Sequence, residues 1–490
     1  MWDIMGNVGR FCEVDFLVLV CWKVGYKNTN LKGDVNMENK RKKIASLLIL
    51  TLVVSLLLGN CLVASAASAT GSFSVLSYNV GGLPALLSSS ANPATYTPII
   101  GSKLYAYDMV NVQEDFNYHA SLYAADTHPY RTATSGGAGI GDGMNFVSKF
   151  PFNDTDRETW TQRSGLFGNG SDQLTPKGFM YNQVEIADGI YVDVYNLHTD
   201  ADTDPGSEAA RRSNLSQLAS YIEQYSQGHA VLVFGDTNCR YTRTDDNLKA
   251  LFVDRLGMKD VWVEKIRNGN YPSMGADALV GTAGSTSAGN EVVDKIFYRS
   301  GAAVSLTPTS YKVENTYFTD SNGNQLSDHY AISANFTYTK NANLSYSSLW
   351  GGPGGIAFNF VGSTAPSTSR PTSVTIRGAS RVDAISMSYA NGTTLYNGGT
   401  GGSDNTLALN NGEYITQAEI YKNTYNGGYR IFYVKLTTNQ GRTVSGGTKS
   451  GTALTLTAPA GSYIAAFFGR AEVNVDKLGV IYKTLPVPAN

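Results

Sequence analysis

Six short polar clusters hold the side chains of this sequence best suited to chemistry. In order they are Tyr78-Asn79-Val80-Gly81, Gln113-Glu114, Asn196-Leu197-His198, Gly235-Asp236-Thr237-Asn238, Val293-Asp294-Lys295-Ile296-Phe297 and Ser327-Asp328-His329. Two of the chain's five histidines fall within them. Carboxylates and side-chain amides are hard oxygen donors, so Glu114 and the Asn79 amide suit Mg²⁺, which keeps several waters and needs few protein ligands. Such a cation neutralises the charge that develops when an anionic phosphodiester is attacked. A histidine such as His329 can remove a proton from water near neutral pH, with a carboxylate such as Asp294 fixing its tautomer. No Cys/His spacing suits zinc, and no Gly-x-x-x-x-Gly-Lys loop suits a nucleotide. Each cluster alone reads as a polar turn at a strand end. Six in one order form a constellation.

The elements that must position them are strands. Phe73 to Tyr78 opens as a strand, Tyr191 to Leu197 alternates with period two, and Ala230 to Phe234 is a short, wholly apolar strand of the buried type. Between the last two, Ala209 to Gln227 has helical spacing, with Leu215, Leu218, Ile222 and Tyr225 on one face. Strand–helix–strand alternation with polar groups at strand ends predicts a layered α/β domain over residues 70–340.

On these clusters the chain resembles the endonuclease/exonuclease/phosphatase superfamily, which includes DNase I-like nucleases, inositol polyphosphate phosphatases and neutral sphingomyelinases. The resemblance implies a four-layer αββα sandwich with the site where two sheets meet. It implies that Asn79 and Glu114 hold the metal, with Asp328 helping to position metal or water. Asp236 and Asn238 would bind the reacting phosphate and orient the nucleophile, and His198 would stabilise phosphoryl oxygens. His329 would be the acid–base residue, held by Asp294. Mg²⁺ is the implied cofactor, with Mn²⁺ or Ca²⁺ as alternatives. One position departs from some nucleases of the superfamily, where an acidic residue stands at the place of Gly81; this shifts metal binding toward Glu114.

Lys177-Gly178-Phe179, after the turn Asp172-Gln173-Leu174-Thr175, looks like the sphingomyelinase branch, as does Gly143 to Lys149 entering a strand. Lys177 then contacts substrate, or else it is a solvated lysine at a strand entrance. For a membrane substrate, Tyr311 to Phe318 is the aromatic stretch on offer.

From Leu344 onward the composition turns to Gly-rich loops between short β-rich runs, which predicts an all-β domain over 345–490 joined by a short polar linker. Trp350 to Gly355, Val382 to Tyr389, Leu409 to Ile415 and Ala460 to Tyr482 resemble jacalin-related lectins, which implies a β-prism. In that family a monosaccharide sits between a first Gly-rich loop and a last loop of form Gly-x-x-x-Asp. The matching positions here are Gly355 in the first loop and Glu472, Val473, Asn474 and Asp476 in the last, with Glu472 where the family has glycine. A β-prism used only for packing or protein contacts is the alternative. Each half is large enough for its own core, so the two are expected to fold independently.

Ahead of both domains, Asn39 to Lys43 is basic, Ile44 to Gly59 is apolar, and Ala64-Ser65-Ala66 or Ala67-Ser68-Ala69 fits a cleavage site. That pattern is a secretory signal peptide over 37–69, with residues 1–36 a non-native upstream extension and Met37 the start; a signal anchor is the alternative. Cleavage after residue 68 would leave 30 basic and 35 acidic residues, and Cys239 as the sole cysteine. This excludes an intrachain disulfide framework and lacks the basic excess of a duplex-DNA binder. The expected function is a secreted metal-dependent phosphodiesterase for a phospholipid or small phosphodiester, targeted to cell-surface or extracellular glycans, with no obligate protein partner. The alternatives are an extracellular DNase I-like nuclease and an adhesin whose first domain is inert. N-terminal sequencing of secreted protein is expected to begin near Ala67 to Thr70; a chain retaining Met1 would contradict the signal reading.

Overall fold

The computed structural model describes residues 70–84, 92–136, 141–166, 169–281 and 286–488. The signal-peptide and upstream readings lie outside the described residues. Twelve strands in the first part form two sheets. They are β1 (Thr70–Asn79), β2 (Met109–Gln113), β3 (Tyr130–Arg131), β4 (Asn145–Ser148), β5 (Phe152–Thr159), β6 (Gly178–Ala187), β7 (Ile190–Leu197), β8 (Ala230–Asp236), β9 (Lys259–Asp260), β10 (Asp294–Arg299), β11 (Val304–Val313) and β12 (Ile332–Lys340). One sheet runs β11-β12-β1-β2-β4-β3 and the other β5-β6-β7-β8-β10-β9.

The sheets bury their facing sides in one core that includes Val75, Met109, Phe146, Val194, Val233 and Phe297. Helices α1 (Pro93–Leu104) and α2 (His119–Ala125) cover the outer face of the first sheet through Ile100, Leu104 and Leu122. Helix α3 (Pro205–Tyr225) covers the second through Leu215, Leu218 and Ile222. The result is the αββα sandwich. Helix α3 starts four residues earlier than its apolar spacing predicts. Asp204 caps it by accepting from the Gly206 and Ser207 amides, and Pro205 presets its first turn.

Polar side chains cross the core between the sheets. Asn111 on β2 donates to the carbonyls of Tyr195 and Phe234 at 3.0 and 2.7 Å. Gln113 donates to the Asn196 side chain at 2.7 Å, and Asn196 donates to the carbonyls of Val112 and Asn145. These buried bonds fix where the strand ends of one sheet lie against those of the other.

The second part is a β-prism. Its strands are β13 (Leu344–Tyr346), β14 (Trp350–Gly351), β15 (Ile356–Asn359), β16 (Pro371–Gly378), β17 (Val382–Tyr389), β18 (Thr394–Gly398), β19 (Ser403–Ala408), β20 (Ile415–Tyr425), β21 (Gly428–Thr438), β22 (Thr443–Gly447), β23 (Thr452–Thr457), β24 (Ser462–Ala471) and β25 (Val475–Thr484). They fall into three groups around one apolar core: β18-β17-β16-β19, β23-β20-β21-β22, and β24-β25 with β13, β14 and β15.

The two halves, expected to fold independently, share buried contacts that the sequence reading did not include. Tyr191 and Ala303 of the sandwich belong to the prism's core cluster. Arg470 on β24 reaches Asp156 on β5 at 2.9 Å, and Lys477 on β25 pairs with Asp154. Arg470 and Lys477 are both buried. Sequence could not show this, since alternating Asp154 and Asp156 on a strand read as a solvated face. The aromatic stretch suggested for membrane contact also fails: Tyr311 and Phe318 are core residues, and Tyr317 alone is exposed among its aromatic side chains. Among the described residues no helix is long and apolar enough to cross a membrane.

Breaking one partner of a buried ion pair strands the other charge. Asp156→Ala is therefore expected to lower unfolding free energy by about 3 kcal/mol, with both parts unfolding in one cooperative transition in denaturant. Two separate transitions, neither moved by the substitution, would contradict the shared interface.

Candidate active site

The six clusters converge at the end of the sandwich where the polar seam emerges. Asn79 ends β1, and its amide nitrogen donates to Glu114 Oε1 at 3.0 Å and to Asp236 Oδ2 at 3.1 Å. Its own oxygen accepts the Gly81 amide at 3.1 Å. Asn79 thus clamps one carboxylate from each sheet, and ligation through its oxygen requires the amide to turn over. Glu114 follows β2 in a left-handed conformation (φ 57°), and Asn238 follows β8 in another (φ 48°). Non-glycine residues hold this conformation at a cost when surrounding structure fixes them, and such strain concentrates at functional sites. Gly82 permits the bend at Glu114, since a Cβ there would lie 2.4 Å from the Glu114 carbonyl.

Two histidines face these carboxylates with opposite proton affinities. His198 Nε2 lies 3.5 Å from Asp236 Oδ2 and 3.8 Å from Glu114 Oε1. Burial, then Lys177 and His329, push its pKa well below the usual histidine range, so it is neutral. Trp160 Nε1 holds the residue by donating to the His198 carbonyl at 2.7 Å. His329 Nδ1 lies 3.0 Å from Asp294 Oδ2, and its Nε2 lies 3.7 Å from Asp236 Oδ2. Burial alone would lower its pKa, but Asp294 and Asp236 outweigh it and raise it well above the usual value. Ser327 ties this segment to β1 by donating to the Asn79 carbonyl at 2.7 Å and contacts Asp328 Oδ1 at 3.2 Å. The Asn238 side chain donates to the Thr199 carbonyl at 3.2 Å, and its backbone N–H donates to Asp236 Oδ1 at 2.9 Å.

Lys177 is not a solvated lysine. It is 7% exposed and paired with Asp172. Although burial lowers its pKa, Asp172 and then Glu114 outweigh it and keep the ammonium charged. The sequence alone gives Asp172 no role beyond its turn; its pairing with Lys177 emerges only in the fold. It also missed Arg240, which shares a groove with Asp294, Asp328 and His329.

The donor set fits a hard divalent cation. The Glu114 and Asp236 oxygens that accept from the Asn79 amide are carboxylate donors of the type Mg²⁺ takes, and because burial raises both pKa values a cation there would favour their ionised forms. Asp236, Asp294 and His329 also bring ligand atoms within 4.8 Å of one another.

The sugar-site residues likewise come together. Glu472, Val473, Asn474 and Asp476 line one pocket, joined by Arg381, Tyr425, Asn426 and Arg430. Gly355 abuts it, since a Cβ there would meet Asp476 Oδ2 at 2.5 Å. Sequence reasoning missed Arg430, whose Nε lies 2.8 Å from Asp476 Oδ1.

Residues 88–263 match the endonuclease/exonuclease/phosphatase family 2, and residues 347–481 match the jacalin-like lectin domain. A sphingomyelinase of Mycobacterium tuberculosis is 39% identical over 277 residues, covering 55% of this chain and 53% of the relative. Horcolin of Hordeum vulgare is 29% identical over 136 residues, covering 26% of this chain and 90% of its own length. Among solved structures, a Staphylococcus aureus β-toxin variant with bound magnesium ions is 20% identical, with TM-score 0.40 and coverage of 54% of this chain and 99% of that one. A Malaysian banana lectin is 34% identical, with TM-score 0.26 and coverage of 29% and 98%. The chain spans about half the length of the sphingomyelinases it matches. Its architecture is an endonuclease/exonuclease/phosphatase-type domain of the sphingomyelinase-like kind followed by a jacalin-like lectin domain.

A cation bound to the folded site stabilises the fold by mass action. Mg²⁺ at about a hundred times its dissociation constant is expected to add about 2.7 kcal/mol to unfolding free energy, and Glu114→Gln to abolish most of that gain. An equal gain in the variant would remove Glu114 from the ligand set.

Proposed function

We propose that this chain is a secreted phosphodiesterase that hydrolyses sphingomyelin or a related phospholipid with Mg²⁺, held at glycan-bearing surfaces by its lectin domain. The observation that carries the reading is the meeting of His198 and His329 with the carboxylates clamped by Asn79, beside the buried Lys177. Three hydrogen-bond donors around a cluster of acids suit an anionic phosphoryl group once the acids hold a cation. Glu114 would hold that cation, with Asn79 and Asp328 beside it, and the cation would neutralise charge on the phosphoryl oxygens.

The remaining work belongs to the chain's own groups. Lys177 and neutral His198 donate to phosphoryl oxygens. Asp236 and Asn238 orient the attacking water, and burial makes Asp236 the stronger base for its proton. The first role of His329 differs from the water-deprotonating one its sequence suggests. Held by Asp294 as an imidazolium, it gives its proton to the departing alkoxide. Mn²⁺ or Ca²⁺ in place of Mg²⁺ would present the same charge to the same oxygens. An extracellular nuclease is favoured by one feature, Arg240 in the groove beside His329, where a second phosphate of a polynucleotide would find a cation.

In the lectin domain, Asp476 accepts from sugar hydroxyls while glycine at 355 lets the main chain approach. Secretion rests on the signal sequence, and tethering to glycans raises local substrate concentration.

Assays with Mg²⁺ and with EDTA against sphingomyelin, phosphatidylinositol, plasmid DNA and a chromogenic phosphodiester test the enzyme. Metal-dependent cleavage of sphingomyelin is expected, and cleavage of DNA alone would favour the nuclease. His329→Ala is expected to lower kcat by roughly 10²–10⁴-fold; activity within a few-fold of wild type would remove it as the proton donor. Burial pushes Asp476 up to about 6 despite Arg430. Because the carboxylate is the acceptor, glycan binding is expected to weaken as pH falls through about 6. Unchanged binding at pH 5 would place the sugar elsewhere.

A further inference from the structure

A second opening lies beside the sugar pocket and is lined by both domains. It encloses about 620 Å³ between β15 and β18 and ends at the C-terminal turn of α3. From the prism come Ile356, Phe358, Tyr396 and Asn397, and from the sandwich come Gln224 and Gln227. Both strands are sheet edges: β15 pairs only with β24, and β18 only with β17. Each therefore has one edge that no ladder pairs.

Two chain segments run from the groove to the sugar pocket. Ile356 follows Gly355, which abuts the Asp476 carboxylate, and pairs with Ala471 at the start of the last sugar loop. On the other wall, the Tyr396 hydroxyl donates to the Gly399 carbonyl. Gly399 in turn packs so closely on that loop that a Cβ would lie 2.3 Å from the Val473 carbonyl. Tyr396 is 47% exposed and Val473 71%, so a ring and an apolar side chain stand open along the path between pocket and groove.

We propose that this groove is an extended glycan subsite, shared by the two domains, for the second and later sugars of an oligosaccharide whose first sugar occupies the Asp476 pocket. The inference rests on the lectin reading of that pocket. An exposed tyrosine ring offers a rigid apolar face to the C–H side of a pyranose. The exposed side-chain amides of Gln224 and Gln227 each donate and accept, as vicinal hydroxyls require. Because Gln227 packs against Gly362, where a Cβ would lie 3.2 Å from its side chain, the sandwich supplies part of the wall. The bound glycan would thus touch the domain that carries the phosphodiesterase site.

The test is calorimetric titration of the full chain with methyl α-mannoside, methyl α-galactoside and the linear α-linked pentasaccharide of each. The preferred pentasaccharide is expected to bind about tenfold more tightly than its monosaccharide, the equivalent of one stacked ring and one hydrogen bond. Tyr396→Ala and Gln227→Ala should each remove most of that gain and leave the monosaccharide affinity unchanged. A gain that is absent, or that survives both substitutions, overturns the subsite while leaving the Asp476 pocket standing. Failure of all four sugars overturns the pocket reading and the subsite with it. Self-association in sedimentation that Tyr396→Ala abolishes overturns the glycan assignment by showing that a second copy of the chain covers the groove.

Discussion

The site depends on buried amides that lock one β-sheet to another. Asn111, Gln113 and Asn196 spend their donors on carbonyls and amides of the opposite sheet within the buried core. A buried donor without a partner costs about 1–3 kcal/mol, so sliding one sheet past the other would break several such bonds at once. Asn79 continues the seam to the strand ends and clamps Glu114 of one sheet and Asp236 of the other. The left-handed turns at Glu114 and Asn238 are held by that frame. Four acids, two histidines and a lysine can then gather in one place because the frame, and not their mutual attraction, sets their positions.

A comparable arrangement joins the two domains. Arg470 donates to the Gly355 carbonyl through Nε and reaches Asp156 through its other end. One guanidinium therefore touches both the first sugar loop and β5 of the sandwich, and it also lies over the Tyr225 ring of α3. Tyr346 of the prism stacks on His229 at 5.2 Å and meets Phe468 at 4.7 Å. The jacalin-like domain is thus seated on the sandwich, so on the proposed function glycan capture would fix the orientation of the candidate active site as well as its local concentration.

Much of this was legible in the sequence. The strands over 73–78, 191–197 and 230–234 and the helix near 209–227 announce themselves by periodicity, and the structure places each within a few residues. The site residues were legible through their order along the chain and not through any local signal. What sequence withheld was pairing at a distance. Lys177 reads equally as surface or site until the turn carrying Asp172 folds over it. Arg430 lies 46 positions before Asp476, and no spacing rule connects them. The interface hides because Asp154 and Asp156 look solvent-facing on a strand whose register slips between Asn153 and Asp156. Charge partners across a fold leave no periodic trace.

The central claim is that water, positioned by Asp236 and Asn238, attacks phosphorus while His329 protonates the departing alcohol. Hydrolysis of sphingomyelin by the full chain with Mg²⁺ in ¹⁸O-enriched water, followed by mass spectrometry of both products, tests it directly. The account predicts one ¹⁸O atom in the phosphocholine and none in the ceramide. Label in the alcohol product, or release of choline in place of phosphocholine, would contradict it.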